Sequence, residues 1–530
     1  MTATSHTAAR SMGEYIRGGL CLLASTTYSV AASYPGLWWL GLVSLAPLVA
    51  ALRTAASGWQ VLFMSWLTCA LAVLLACSWI APAFDHFAAF PGVGLAAWVA
   101  FAILDSLRLG LACTGWWLLR IPPGPSALVF GALLVAADSL WPRLLPWPVG
   151  IVLISSDAFV QTAALGGANS LTFIVAVFGC ATGEAVGQGW RMVRARRVWF
   201  AGYALGILLC AAWGVWRLSN GRRAVGPDVW VGIVQAGKQP LVTLNDQQRA
   251  LDRHVDLTHE LLRRKNVELV IWGETAVTRP IDERDWAREL LQRMRRMPDV
   301  PILLGANLAR TSDAERYQFF NSAVLLAPAG PPCSSCRYDK QLLVPGAERL
   351  DRDSLFGAWL PRGGRYIAGS HTGAIVVAGH PVAAFVCYEA LHAKYVRELV
   401  LSTKAELLVN LTSDTWLGET RGPAQHLRLA KLRAVEHGKT MLRVADTGLS
   451  AVIDPFGREL QSTALNESRF LTARVRWSRT STLYSKLGEA PWLILIALAF
   501  GWSLRRKLRL RPGGWKPSQS RSFAGRKKLG

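Results

Sequence analysis

The pattern of apolar and polar positions divides the chain into two parts. Up to about residue 220, apolar runs follow one another with few polar interruptions. Many approach the roughly 20 residues that a helix needs to cross a bilayer. Helices of soluble proteins usually keep one polar face, which these runs lack. The first part therefore predicts a multi-pass bundle of membrane helices.

About eight segments are predicted to cross the membrane, about seven of them within residues 1–220 and one near the C-terminus. They are Gly18–Ser33, Leu37–Leu52, Trp59–Ile80, Val93–Leu119, Ala127–Leu140 with a proline-rich continuation to Ile154, Leu165–Val186, Val198–Trp216 and Ala490–Leu504. The first segment follows Arg17 and ends in small residues, so a cleaved signal peptide is an alternative interpretation of it. A second apolar run follows at once, which favours a membrane helix.

Positive charge in the short loops predicts how the bundle is oriented. The arginine-rich stretches at 191–197 and 505–511 are expected in the cytoplasm. Parity then places the region between the seventh and eighth segments outside, although the arginines at 222–223 favour the opposite side. Residues 507–530 are expected to form a basic, disordered cytoplasmic tail. Much of the net charge of +23 lies in such segments, where cations meet anionic lipid, so no nucleic acid is expected as a partner.

Residues 226–480 show a different pattern, in which short apolar runs alternate with charged, amphipathic stretches. The runs at 229–236, 267–272, 300–309, 321–328, 373–379, 382–389, 405–412, 440–446, 450–455 and 470–477 predict strands. The stretches at 248–265, 284–297, 394–402 and 422–438 predict helices. This alternation indicates an external, layered α/β domain of about 250 residues. The last membrane helix is expected within residues 485–506.

Three residues at or beside strand ends carry candidate chemistry. Glu274 follows "VIWG", Lys340 lies in "YDKQLLVPGAE", and Cys387 ends "AAFVC". Together they suffice for acyl transfer through a thioester: a thiolate attacks, a carboxylate takes its proton, and an ammonium stabilises the oxyanion. Taken singly, a cysteine at a strand end more often packs in a core, and a glutamate or lysine before a helix is more often solvated or a cap.

The sequence motifs around these residues, and others along the chain, resemble those of the apolipoprotein N-acyltransferase family, a membrane-anchored branch of the nitrilase superfamily. They include "PGLWWLGLVSLAPL", "LLPWPVGI", "AALGGANSLTF", "WGETA", "YDKQLLVPGAE", "VCYE" and "AVIDPFG". The resemblance implies an α-β-β-α sandwich beside the membrane bundle. It also implies Glu274 as general base, Lys340 as oxyanion stabiliser and Cys387 as nucleophile. Supporting residues implied in the same way are Glu348, Tyr388, Glu389 and Asn321.

The resemblance also implies a function, in which an acyl chain moves from a phospholipid through the cysteine to the N-terminal amine of a diacylglyceryl-cysteine lipoprotein. The expected setting is the bacterial inner membrane, with the catalytic domain on the periplasmic side, as a monomer and without a cofactor or metal. Alternatives are a membrane-bound amidase, an acyltransferase with another acceptor such as a conjugal-transfer homologue, and a catalytically silent scaffold.

Other features give weaker expectations. Apolar residues in the stretch 342–367 could form a lipid-facing lid over the site, with Leu342, Phe356 and Trp359 as candidates, or could cover the domain core. The "CSSC" at 333–336 has the spacing of a small disulfide, and no second pair completes a metal site. Asp105 and Asp138 lie in apolar segments, where acids are expected to cap or pair inside the bundle.

Overall fold

A computed structural model describes residues 2–220, 226–237, 244–280, 292, 300–310, 318–326, 336–349, 366–370 and 374–509. Residues 2–220 are helical. The helices are α1 (Thr2–Ser33), α2 (Leu40–Val43), α3 (Ala46–Arg53), α4 (Gly58–Ala76), α5 (Ile80–Asp85), α6 (Val93–Leu118), α7 (Pro125–Leu140), α8 (Asp157–Val160), α9 (Ala163–Gly166), α10 (Ala168–Ala195) and α11 (Arg197–Asn220).

Within the described residues, four helices are long and apolar enough to cross a membrane: α4, α6, α10 and α11. The predicted segments near the two chain ends lie in α1 and in a C-terminal helix, neither of which is among these four, so the number eight stays a prediction. The segment predicted over Leu37–Leu52 divides into a 3-10 turn, α2 and α3, and its apolar helical part, Leu40–Arg53, is shorter than the four long helices, so its crossing of the membrane stays a prediction. Pro47 in the first turn of α3 lacks the N–H that a continuous helix would need.

Charged residues inside the bundle pair with one another. Arg108 of α6 forms ion pairs with Asp105, at 3.1 Å, and with Asp138 of α7. Asp138 also accepts a hydrogen bond from the backbone N–H of Val149, at 3.0 Å. Pairing of this kind is what makes buried charges tolerable in an apolar interior, and it confirms the pairing expected for both aspartates.

The second part is a two-sheet domain. Its strands are β1 (Asp228–Gln235), β2 (Leu269–Trp272), β3 (Ile302–Arg310), β4 (Gln318–Leu326), β5 (Arg337–Asp339), β6 (Ile375–Val377), β7 (His380–Val386), β8 (Leu407–Thr412), β9 (Met441–Ala445), β10 (Ala451–Ile453), β11 (Glu459–Ser462) and β12 (Arg469–Arg476). Its helices are α12 (Leu244–Arg264), α13 (Ala393–Thr403), α14 (Gly422–His437) and α15 (Leu483–Leu487), and α16 (Ala490–Arg509) follows. The helix expected at 284–297 falls outside the described residues.

The strand order is β12-β1-β2-β3-β4-β5 in one sheet and β11-β10-β9-β8-β7-β6 in the other. Strands β1, β2 and β3 run parallel, as do β7, β8 and β9, so their carboxyl ends gather at one edge of each sheet. Alternating side chains build the layers: Leu269 and Ile271 of β2 pack between the sheets, whereas Val270 and Trp272 pack towards α12. The order of layers is therefore α-β-β-α.

Helix α14 joins the domain to the bundle, and all of its residues except Ala424 are buried. Leu427, Ala430 and Ala434 pack into the core of the two-sheet domain, whereas Leu429 and Leu432 pack into the core of the bundle. A helix that is apolar on opposite faces is typical of a buried position between two cores. The carboxyl ends of β7 and β8 consequently lie near the bundle.

Polar contacts reinforce this junction. Gln425 of α14 accepts a hydrogen bond from the indole N–H of Trp79, at 2.7 Å, and donates to the carbonyl oxygen of Ala76, at 3.0 Å. Gln161 of the bundle donates to the carbonyl oxygen of Phe456, at 2.8 Å. These contacts satisfy buried polar groups that the junction would otherwise leave unpaired.

Candidate active site

The three candidate residues come from three strands of the two sheets. Glu274 lies just beyond β2, Lys340 directly after β5, and Cys387 directly after β7. The backbone N–H of Glu274 donates to the carbonyl oxygen of Thr412 at the end of β8, at 3.4 Å, which links the two sheets at this edge. All three candidate side chains are buried, and Lys340 is only 1% exposed.

A network of hydrogen bonds fixes the carboxylate and the ammonium. Lys340 Nζ donates to Glu274 Oε1 at 3.2 Å and to Glu348 Oε1 at 2.8 Å. The amide of Asn321 donates to the same two oxygens, at 2.7 Å and 3.2 Å. Glu348 Oε2 accepts from the backbone N–H of Val344, at 2.9 Å. Asn321 and Glu348 therefore hold Glu274 and Lys340 in place.

Cys387 begins a short 3-10 turn that ends at Leu391, and its φ is +48°. A side chain other than glycine rarely adopts this conformation, which costs roughly 1–3 kcal/mol and persists only where the surroundings impose it. The thiol is buried, at 2% exposure. Strained residues of this kind cluster at active sites, so the turn itself marks Cys387 as a functional candidate.

Glu389 accepts four hydrogen bonds that hold this turn in place. Its Oε2 accepts from the backbone N–H of Val386 and from the hydroxyl of Tyr338, both at 2.7 Å. Its Oε1 accepts from the backbone N–H groups of Gln341 and Leu342, at 2.7 Å and 3.1 Å. One fully buried carboxylate thus ties the strand that carries the cysteine to the loop that follows the lysine.

Tyr388 connects the site to the bundle. Its hydroxyl donates to the carbonyl oxygen of Leu144, and its ring packs edge-on against His392, with centroids 4.6 Å apart. Burial raises the pKa of Tyr388 to about 12. The tyrosine also lines a narrow apolar cleft between the two parts of the chain, together with Trp79, Phe101 and Trp416.

The charges of the three candidate residues act on one another's pKa values. Burial raises the pKa of the Cys387 thiol, and Glu274 raises it further, whereas Lys340 lowers it. Burial raises the pKa of Glu274 against the opposing effect of Lys340. Burial disfavours the Lys340 ammonium, but Glu274 and Glu348 outweigh it and hold the pKa of the lysine well above its usual value. The lysine is therefore a permanent cation.

The structure adds a charged cluster that the sequence did not indicate. Asp414 accepts from Arg443, at 2.9 Å, and pairs with Nδ1 of His426, also at 2.9 Å. The charge of Asp414 also reaches Cys387 and raises the pKa of its thiol. No ligand-like spacing distinguishes His426 from the other histidines. The feature of the sequence that could have pointed to His426 is its place on the helix predicted at 422–438. In the structure this helix is α14, and His426 follows Gln425 at the junction with the bundle.

Several expectations fall partly or wholly on residues outside the described part of the chain. Of the lid candidates, Phe356 and Trp359 lie there, and Leu342 is half-buried beside Glu389. Cys333 also lies there, whereas Cys336 is disulfide-bonded. Among the described residues, no group of three or more histidine, cysteine, aspartate or glutamate side chains could hold a metal ion.

The arrangement can support covalent acyl chemistry. A buried thiol at a strained turn, a carboxylate of raised pKa and a fixed cation are the groups that nucleophilic catalysis requires. These groups lie in a domain of two sheets whose central strands run parallel, with helices outside the sheets. Together they define a domain of the carbon-nitrogen hydrolase class, whose family model matches residues 230–483. The model of the apolipoprotein N-acyltransferase N-terminal domain matches residues 24–181.

Curated relatives match nearly the whole chain. The apolipoprotein N-acyltransferase of Azotobacter vinelandii is 27% identical and covers 94% of this chain and 97% of its own. The enzyme of the same name from Pseudomonas syringae pv. tomato is 26% identical, with coverages of 92% and 96%. That of Vibrio vulnificus is 27% identical, with coverages of 82% and 86%. The chain belongs to the apolipoprotein N-acyltransferase family, as the motifs in its sequence indicated.

Proposed function

We propose that the protein transfers an acyl chain from a phospholipid, through a thioester on Cys387, to the N-terminal amine of a diacylglyceryl-cysteine lipoprotein. The observation that carries this proposal is a buried site next to an apolar cleft: Lys340 Nζ lies 3.2 Å from Glu274 Oε1, the charges of both residues act on the Cys387 thiol, and Tyr388, which follows Cys387, lines a cleft between the two parts of the chain. The relatives bear the name of this activity. The site faces the bundle, as a lipid substrate requires.

The first half-reaction forms the thioester. The Glu274 carboxylate accepts the thiol proton of Cys387, and the thiolate attacks the ester carbonyl of the phospholipid. Lys340 stabilises the oxyanion of the tetrahedral intermediate. When the intermediate collapses, the C–O bond breaks, and Glu274 returns the proton to the departing lysophospholipid.

The second half-reaction transfers the acyl chain to the amine. The free amine attacks the thioester carbonyl, and Glu274 accepts a proton from the nitrogen as the C–S bond breaks. Glu274 then returns that proton to the thiolate, which regenerates the enzyme. Burial of Cys387 keeps water from the thioester, which favours transfer over hydrolysis.

The apolar cleft suits the acyl chain. Moving a chain from the bilayer into water would cost about 0.8 kcal/mol for each CH₂ group. The cleft removes this cost because Trp79 and Phe101 of the bundle and Trp416 of the domain form a continuous apolar wall near Tyr388. In this proposal the bundle crosses the inner membrane about eight times, and the domain acts as a monomer on the periplasmic face.

Complementation tests the proposed function. In cells depleted of their own N-acyltransferase, expression of this chain is expected to restore a triacylated N-terminus on a lipoprotein, read by mass spectrometry. Cys387→Ala is expected to leave the diacyl form, whereas Cys210→Ala, a half-buried cysteine of α11, should behave as wild type. Diacyl product in cells that contain normal amounts of the wild-type chain would refute the proposal.

The pH dependence of thioester formation should report Glu274. The reaction needs the ionised carboxylate, so its rate falls as the pH falls through the pKa of this group. Since burial raises that pKa above the usual 4.5, the acid limb is expected above pH 4.5. The measurement is the rate of acylation by a soluble p-nitrophenyl ester at a series of pH values. An acid limb at or below 4.5 would contradict the assigned role.

A further inference from the structure

A second cleft lies next to the apolar one and has a different character. It offers a cavity of about 460 Å³ between the bundle and the domain, and shares Pro146, Leu391 and Leu429 with the apolar cleft. Its lining includes the charged or polar side chains of Arg143, His392 and Arg433. His392 follows the turn that begins at Cys387, so the cleft opens close to the thiol.

Several buried donors in this cleft lack a partner. Among the residues that the structure describes, Nε and Nη1 of Arg433, Nη1 of Arg143 and Nε2 of His392 are buried without a hydrogen bond. Arg433 is only 2% exposed, and its Nη2 donates to Glu436 Oε1, at 3.0 Å, which leaves Nε and Nη1 without a partner. Nη1 of Arg143 lies 3.6 Å from Asp138 Oδ1, which is an ion pair but too long for a hydrogen bond. A buried donor without an acceptor costs free energy, so an unpaired group of this kind calls for a ligand.

The carboxylates that line the same cleft have partners. Asp138 is paired with Arg108 and also accepts from the hydroxyl of Thr172, at 2.7 Å. Glu489 accepts from the amide of Asn169, and Glu398 lies 4.0 Å from Lys394. The buried acids Asp138 and Glu489 are therefore engaged, whereas Glu398 is exposed to solvent, and the unmet capacity of the buried lining consists of donors. An anion is the ligand that fits.

The unpaired groups converge on one place. Burial, followed by the charges of Arg433 and Arg143, lowers the pKa of His392 to about 4. Both guanidinium groups thus act on this imidazole from different elements, one from α14 and one from the segment after α7. At neutral pH the imidazole is uncharged and can donate one hydrogen bond, while the two arginines supply the positive charge.

We propose that Arg143, Arg433 and His392 bind the phosphodiester of the phospholipid donor while its acyl chain occupies the neighbouring apolar cleft. The inference rests on the proposed acyl transfer and assigns the headgroup a place in it. Guanidinium groups bind phosphate oxygens through paired hydrogen bonds. Of the two proposed substrates, only the donor carries a phosphate, so this cleft serves the first half-reaction.

Binding of lipids that cannot react tests this assignment directly. The full-length Cys387→Ala protein in detergent is titrated with a dialkyl ether phospholipid and with the matching dialkylglycerol, which lacks the phosphate. Arg143→Gln is expected to weaken binding of the phospholipid by about tenfold or more, and that of the dialkylglycerol little. Arg217→Gln is the matched control, because Arg217 is a junction arginine that donates to Gln161, at 2.6 Å, and does not line the cleft.

Each outcome decides the assignment. Unchanged phospholipid binding by Arg143→Gln, or an equal loss for both lipids, would overturn it. Inorganic phosphate that binds as tightly as the phospholipid would also overturn it, because the site would then serve a free anion. The proposed function is judged separately: if the protein with Cys387 intact forms no thioester from any phospholipid, acyl transfer fails, whereas the binding comparison still decides the headgroup site.

Discussion

Replacing Lys340 with methionine is expected to slow thioester formation by about 100-fold or more and to destabilise the domain by about 3 kcal/mol. The ammonium lies between two carboxylates, at 3.2 Å from Glu274 and 2.8 Å from Glu348. Without it, the pKa of Glu274 should rise, and the base that must accept the thiol proton would be largely protonated. The same change removes the cation that stabilises the oxyanion.

Two measurements check this result, the rate of acylation by a soluble ester and the thermal unfolding temperature. Lys265→Met is the control, since this lysine is exposed after α12 and should tolerate the change. A Lys340→Met protein that is acylated within about twofold of the wild-type rate would remove Lys340 from the mechanism, whatever its stability.

Replacing Glu274 with glutamine is the second change with a large expected effect. General base catalysis typically contributes about 10² to 10⁴ to a rate, so thioester formation should fall by about that factor. The amide oxygen of glutamine can still accept from the side chain of Asn321, as Glu274 Oε1 does at 2.7 Å, so the fold should persist. The lower rate of thioester formation would then reflect the missing general base and not a misfolded protein.

Rates of acylation by the same soluble ester test this expectation, together with the unfolding temperature as a check on folding. Glu260→Gln is a suitable control, because Glu260 is 38% exposed on α12 and contacts only Arg264 among the ion pairs of the described residues. A Glu274→Gln protein with near-wild-type acylation would assign the proton transfer to another group.

The predictable parts of the fold are those in which burial follows a simple period. Strands such as β2 and β8 are buried along their length and flanked by polar residues, so the sequence predicted them. Strand β11 was not predicted, because all four of its residues are exposed and only Leu460 is apolar. Strand β5 was not predicted either, since it has only three residues and owes its form to pairing with β4.

The residues of the site also divide into those that the sequence indicated and those that only the structure brings together. Glu274, Lys340 and Cys387 were identified as candidates because they lie at or beside strand ends, within sequence motifs that resemble those of a known family. Arg143, Arg433 and His392 gave no such signal: they come from distant parts of the chain and meet only because α14 packs against the bundle. Their significance depends on which hydrogen bonds remain unmade, and a sequence does not show this.

The junction between the two parts explains why this family joins a hydrolase-like domain to a bundle. Helix α14 belongs to both cores, and Tyr388, next to the candidate nucleophile, donates to Leu144 of the bundle. We propose that a lipid approaches the thiol along this junction, without crossing water. The same contact surface supplies one apolar and one donor-rich cleft.

Mass spectrometry of the protein after incubation with phospholipid tests the central claim most directly. Alkylation-blocked digests of the wild-type chain should show the peptide that contains Cys387 heavier by one fatty acyl group, which neutral hydroxylamine removes. Glu274→Gln should show far less of it. An acyl group found elsewhere, or none on Cys387 in a preparation that turns over phospholipid, would contradict the account.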